Sequence, residues 1–337
     1  MRDAEPMRWR RSPRRALLVL SALFVAAASR SAHAQNPPDS VLHGMIDTHI
    51  HSEEDNSSLG GGSADVIELA RRARDKGMRA VVVKPMYFET ATRAYLAQKA
   101  VPGIAVFGGL TLNLSVGGMN PEAVDGLAKL GLSTARVVWM PNLDAEAAHA
   151  VSGQAGPSVR ISDGTHLLPS TLAVLDAIAR HGYSLATSHA SAAEALMLVR
   201  AARERGIPVS VTHAAQDPTR MTVVQMQEAA RLGAYIEHTA LGPFKGPQTH
   251  LLPRFYRDQH RVTLEETARF IRAVGAEHTI LATDFGQSED APAPDGLKWF
   301  VLGLKEQGIT DAEIDLMTRR NPARFLRLES AASRGGP

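Results

Sequence analysis

Asp47-Thr48-His49-Ile50-His51 ends a short apolar run (Val41, Leu42, Met45, Ile46) and reads as the close of a strand. A helical stretch over 64–76 follows, with Ile67, Leu69, Ala70 and Ala73 on its apolar face. Gly77 ends it, and Arg79-Ala80-Val81-Val82-Val83-Lys84 reads as a second, buried strand. Two strands joined through a helix cannot form a hairpin; they imply parallel neighbours.

The same unit recurs along the chain. Helices are expected over 89–100, 121–130, 170–181, 192–205, 222–231 and 263–273. They lead to strands over 104–110, 135–140, 184–189, 208–213, 234–238 and 279–284, with an irregular insert and an Asp163-Gly164 hairpin turn before 170–181. Eight strands with a helix after each predict a closed (β/α)8 TIM barrel; a doubly wound open sheet is the alternative.

In such a barrel the active site lies at the C-terminal ends of the strands. Those ends carry His49 and His51, Lys84, His189, His213, Glu237 with His238, and Asp284, with Asn113 after the third strand. His49 and His51, two apart on a strand, share a face roughly 7 Å apart, a spacing at which two imidazoles can grip one divalent ion. Glu237 and His238 alternate, so at most one of them faces the interior. His166, His181, His250 and His260 are expected at the surface or in loops, Arg254, Tyr256 and Arg257 in a mobile lid with anion-binding capacity or in a merely solvated loop, and Gly60-Gly61-Gly62 in a flexible loop.

The ordered set Asp47-Thr48-His49-Ile50-His51, Ser188-His189, Thr212-His213 and Thr283-Asp284-Phe285 resembles the amidohydrolase superfamily. Asn321-Pro322-Ala323-Arg324-Phe325-Leu326 is similar to the closing helix of that superfamily. The resemblance spans the whole chain after the leader. It implies a metal-dependent hydrolase cleaving a C–N, C–O or P–O bond of a small molecule, with His49, His51, His189, His213 and Asp284 as ligands. Asp284 would be the proton carrier and Lys84 the second catalytic group. One or two divalent ions are implied, Zn²⁺ first and Mn²⁺ or another transition metal next. The fourth strand, Val137-Val138-Trp139-Met140, lacks the carboxylate or lysine that bridges two ions in many members; Lys84 as a substrate-binding cation, as a displaced carbamate, or as a lysine snorkelling at the barrel rim are all open. A decarboxylase-like lyase and a secreted binding protein are the alternative functions.

Arg8, Arg10, Arg11, Arg14 and Arg15 precede an apolar run over 16–28 and Ala32-His33-Ala34. That is a signal-peptide pattern, with cleavage after Ala34 and a periplasmic or secreted product; Arg14-Arg15 also resembles a twin-arginine signal. An intact leader in a mass spectrum of exported protein would count against it. The expected organisation is leader 1–34, linker 35–43, barrel 44–328 and a disordered tail over 329–337. Without the leader's seven Arg, Asp3 and Glu5 there remain 30 basic and 33 acidic residues, which gives no basis for nucleic-acid binding. The absence of cysteine leaves any metal to His, carboxylate or modified Lys. No stable membrane anchor is expected, and a homo-oligomer is compatible with the sequence.

Overall fold

Eight strands pair in sequence order, every neighbouring pair parallel. They are β1 (Ile46–Ile50), β2 (Ala80–Val83), β3 (Ala105–Thr111), β4 (Ala135–Trp139), β5 (Ser184–Ala186), β6 (Val209–Val211), β7 (Tyr235–Thr239) and β8 (Thr279–Ala282). A parallel bridge between Ile50 and Phe285 carries β8 back to β1. The fold is a (β/α)8 barrel. This computed structural model describes residues 39–56, 61–251 and 255–328; the leader and the tail over 329–337 lie outside the described residues.

Strand alternation sorts the core into layers. Ala80 and Val82 of β2, Val137 and Trp139 of β4 and Ile280 of β8 belong to an inner cluster. Val81, Val83 and Leu281 pack outward with residues such as Leu69, Ala97 and Phe300 of the surrounding helices. The inner cluster also takes Ala323, Phe325 and Leu326 of the closing helix Asn321–Phe325 and the residue after it. Asn321 Nδ2 donates to the carbonyls of Ala276 and Thr279, and the Ser184 hydroxyl donates to that of Phe325. These contacts fix the helix beneath β5 and β8, at the end of the barrel away from the ligand-bearing strand ends.

The helices between strands begin where side chains can satisfy free backbone amides. Ser191 with Glu194, Thr222 with Gln225 and Thr263 with Glu266 form capping boxes at Ala192–Glu204, Val223–Arg231 and Leu264–Val274. The insert after β4 holds a short helix, Glu146–Ser152, and an antiparallel bridge between Ser162 and Leu167 around the expected turn. β5 and β6 are three residues each, so the sequence reading extended them too far: His189 and His213 sit in the turns that follow.

Candidate metal centre

An uninterrupted β1 would place Ile46, Thr48 and Ile50 on one face. Instead its register against β2 shifts between Asp47 and Ile50. Ile46 packs inside the barrel and Ile50 in the outer layer, so the shift turns both His49 and His51 inward.

Backbone and side chains then lock β1 to the end of β8. Asp47 Oδ1 accepts the amide N–H groups of His49 and Thr283, each at 3.1 Å, and Oδ2 accepts the Thr283 hydroxyl at 2.7 Å. The Asp284 amide donates to the His49 carbonyl at 2.8 Å, and the His51 amide to the Phe285 carbonyl at 2.8 Å. Only glycine fits at 286, where a Cβ would lie 2.1 Å from the His51 carbonyl oxygen. Burial pushes Asp47 up to about 7, against the hydrogen bonds from Thr283 and His49.

That seam assembles three donors. His49 Nε2 is 2.8 Å and His51 Nε2 is 3.1 Å from Asp284 Oδ1, and donor atoms of all three residues lie within 4.8 Å of one another. Ligands about 2.1 Å from a tetrahedral ion stand about 3.4 Å apart, so the trio fits a divalent ion after a shift of a few tenths of an ångström. Glu237, at the inward face of β7, accepts from His49 Nδ1 at 2.9 Å and from the His213 amide at 3.2 Å. With Nδ1 engaged there, His49 presents Nε2 to the donor cluster. Burial opposes charge on His49, but the carboxylates of Asp284 and Glu237 outweigh it and raise its pKa; burial opposes charge on Asp284 too, yet His49, His51 and Lys84 hold that carboxyl well below its usual range.

His213 and His189 continue the histidine ring, with ring centres 6.2 Å from His49 to His213 and 5.1 Å from His213 to His189. Burial holds both well below the usual imidazole range, which keeps them neutral as ligation requires. Ser188, His213 and Asp284 adopt left-handed backbone, at φ of 50°, 32° and 59°. Such conformations cost about 1–3 kcal/mol each and gather where a fold must aim a side chain. Lys84 continues the inward face of β2 and is 2% exposed; burial lowers its pKa, opposed by Asp284 and Glu237. It lines a cavity of about 40 Å³ with His51, His189, His213, Asp284 and Lys245.

The remaining candidates fall elsewhere. The Asn113 amide donates to the Met86 carbonyl at 2.7 Å, and its oxygen accepts the Asn142 amide at 2.8 Å, so this side chain ties the loops after β2 and β4 together. His238 faces outward, stacked on Phe270 at 5.9 Å, and burial lowers it to about 4. His166 is exposed, His181 bonds Asp125, His250 packs on Phe244, and the His260 amide donates to Asp217. Arg254 and Gly60 lie outside the described residues, and Arg257 is exposed. Tyr256, expected in a mobile lid, is buried, its hydroxyl accepting from Gln287 Nε2 at 3.1 Å. Sequence reasoning missed Lys245, a buried lysine between Pro243 and Pro247, where no periodicity marks the interior.

Residues 44–237, more than half of the chain, match the sequence profile of a family of unknown function, DUF6282. The chain belongs to that family. This DUF6282 member shares its fold with a Pseudomonas putida protein ascribed 2-pyrone-4,6-dicarboxylic acid hydrolase activity, at a TM-score of 0.55 and 17% identity over 86% of this chain and 99% of that one. An organophosphorus hydrolase from Deinococcus radiodurans aligns at a TM-score of 0.53 and 14% identity, covering 85% and 93% of the two chains. An amidohydrolase from Pseudomonas aeruginosa aligns at 0.53 and 13% identity, covering 86% and 98%. At these identities the likeness is one of fold. No curated protein sequence matches this DUF6282 chain.

Proposed function

We propose that the chain is a metal-dependent hydrolase of amidohydrolase type, acting on an amide, ester, lactone or phosphoester bond of a small molecule. The observation that carries this reading is the convergence of His49 Nε2, His51 Nε2 and Asp284 Oδ1, with Glu237 behind His49. Those three residues would hold a divalent ion, Zn²⁺ by donor chemistry or Mn²⁺, with His189 and His213 completing the set or serving a second ion. When bound, the ion supplies Lewis acidity towards a substrate oxygen and acidifies water. Asp284, kept ionised within the cavity, takes the proton of the attacking water at its carboxylate and returns it to the leaving group. Lys84 holds the negative charge that develops on the substrate oxygen. His49 stays oriented by Glu237 throughout.

The solved hydrolases that share the fold support the same reaction class, since one of them acts on organophosphorus compounds and another carries the name amidohydrolase. Export after cleavage at Ala34 belongs to this proposal, and no helix among the described residues is long and apolar enough to cross a membrane.

Metal analysis of the purified chain after growth with Zn²⁺ or Mn²⁺ tests the reading. At least about one equivalent per chain is expected, as for sites of this ligand type. His49→Ala with His51→Ala should lose the metal and all hydrolysis of ester, lactone, amide and phosphoester panels while keeping the circular dichroism spectrum. Less than about a tenth of an equivalent in the wild type would overturn the proposal.

A further inference from the structure

We propose that the substrate carries an ionised acid group, carboxylate or phosphoryl, beside the bond that is broken, and that Lys245 together with Lys84 binds it. The inference rests on the hydrolase reading for the place of the reacting bond and deepens it by naming the substrate class.

Both lysines are buried, at 2% and 5% exposure, and both line the cavity that Asp284 and His51 also line. Neither ammonium has a hydrogen bond or ion pair among the described residues. Lys245 Nζ lies over the Tyr256 ring, 5.5 Å from its centre, which aims the side chain without neutralising it. The nearby carboxylates are committed elsewhere. Asp284 faces His49 and His51, Glu237 holds His49 and the His213 amide, and Asp217 accepts the His260 amide and stands 3.8 Å from Arg220. The two ammoniums repel each other across one small cavity and are offset only at a distance by carboxylates that the histidines already engage, so a divalent ion at the histidines leaves the cavity with an excess of positive charge. An oxyanion between the lysines removes that imbalance, and charge-assisted hydrogen bonds of this kind are the strong ones.

The position of Lys245 is set before any ligand arrives. Gly246 N–H donates to the Tyr256 carbonyl at 2.8 Å, and Arg261 Nε to the Pro243 carbonyl at 2.8 Å, on either side of it. Neutral polar groups share the cavity, with a Gln287 side-chain oxygen that is buried and lacks a hydrogen-bond partner among the described residues. The cavity is too small for more than the acid group and the reacting atoms. It adjoins a groove of about 380 Å³ that shares Leu143, His189 and Gln259 with it and adds Tyr87, Val151 and Pro218. The geometry therefore suits an acid head held inside and an apolar body lying in the groove.

Benzoate, phenyl phosphate and neutral benzamide are titrated calorimetrically into the full chain as purified, with whatever metal it holds. At least one of the two acids should bind, with benzamide about tenfold weaker or more, and the comparison of the two says whether a carboxylate or a phosphoryl group is preferred. Lys245→Met and Lys84→Met should each weaken acid binding about 10- to 100-fold while unfolding stays cooperative. Should a variant fail to fold, wild-type Lys245 should be protected from acetylation by the acid that binds and not by benzamide, as read by peptide mass spectrometry. Equal affinity for benzoate, phenyl phosphate and benzamide, no binding of either acid, or unchanged acid affinity in both folded variants would overturn the proposal. Metal binding without acid binding would sink this inference alone, and acid binding without metal would sink the hydrolase reading alone.

Discussion

Replacing Glu237 tests whether its carboxylate tunes His49 as a ligand of the proposed metal or only supports the fold. Its Oε1 accepts both the His49 Nδ1 hydrogen bond at 2.9 Å and the His213 amide at 3.2 Å. Glu237→Gln can keep both bonds, because an amide oxygen also has two lone pairs, and so removes the charge alone. Partners of this kind contribute about 10–100-fold to metal affinity, or about 1.4–2.7 kcal/mol. The Gln variant should sit near the lower figure. Glu237→Ala leaves two buried donors unpaired, so it should reach the upper figure and also lose about 1–3 kcal/mol of stability. Zn²⁺ affinity measured by competition with a chromophoric chelator, beside a thermal melt, reads both effects. Glu237 does not line the cavity, so hydrolysis by the Gln variant should recover at saturating metal. Wild-type Zn²⁺ affinity in Glu237→Ala, with only the melt affected, would show that the His49 contact is structural and refute the reasoning.

Asp284→Asn keeps the shape and removes the base, so kcat should fall about 10²-fold or more; near wild-type turnover would reassign the proton transfer. Asp47 offers a pH test in chelated protein. Its folded pKa of about 7 lies above the ordinary 3.8, so the folded chain retains a proton that the unfolded chain has released. The resulting contribution is full below pH 4, declines between 4 and 7, and is gone above 7, a ceiling of about 4 kcal/mol. Asp47→Asn lacks that decline, so its stability relative to wild type, from denaturant titrations, should rise between pH 4 and 7; a constant difference would contradict the buried-acid account.

The barrel was legible because β-branched runs such as Ala80–Val83 alternate with helical stretches, and because ligand types recur at strand ends. Strand parity also separated Glu237 from His238, though which of them faced inward depended on neighbours. Local sequence could not show the register shift in β1, since it is set by pairing with β2. Without it the periodicity of Ile46 would have sent both histidines outward. Nor do Ser188 and Asp284 announce left-handed backbone, which is uncommon for any residue but glycine and which local sequence does not mark. Asn113 joined the strand-end candidates because it follows β3, yet its side-chain amide is spent on Met86 and Asn142, in the loops that follow the strands on either side. Lys245 was hidden for the opposite reason: a lysine in a proline-rich loop reads as solvated, and only the tertiary fold buries it, with Tyr256 among its neighbours.

The seam between β1 and β8 joins residues more than 230 positions apart, through Asp47 with Thr283 and His51 with Phe285. The donors that face each other across it are therefore the earliest and the latest of the barrel to be synthesised. A growing chain cannot assemble this cluster until residue 285 is available to it, whatever helices and strands have already formed. Chains cut short before β8 would retain most of the fold's apolar surface and none of the His49, His51 and Asp284 juxtaposition. Completeness of the polypeptide is thus a precondition for its chemistry, enforced by where the circle happens to close.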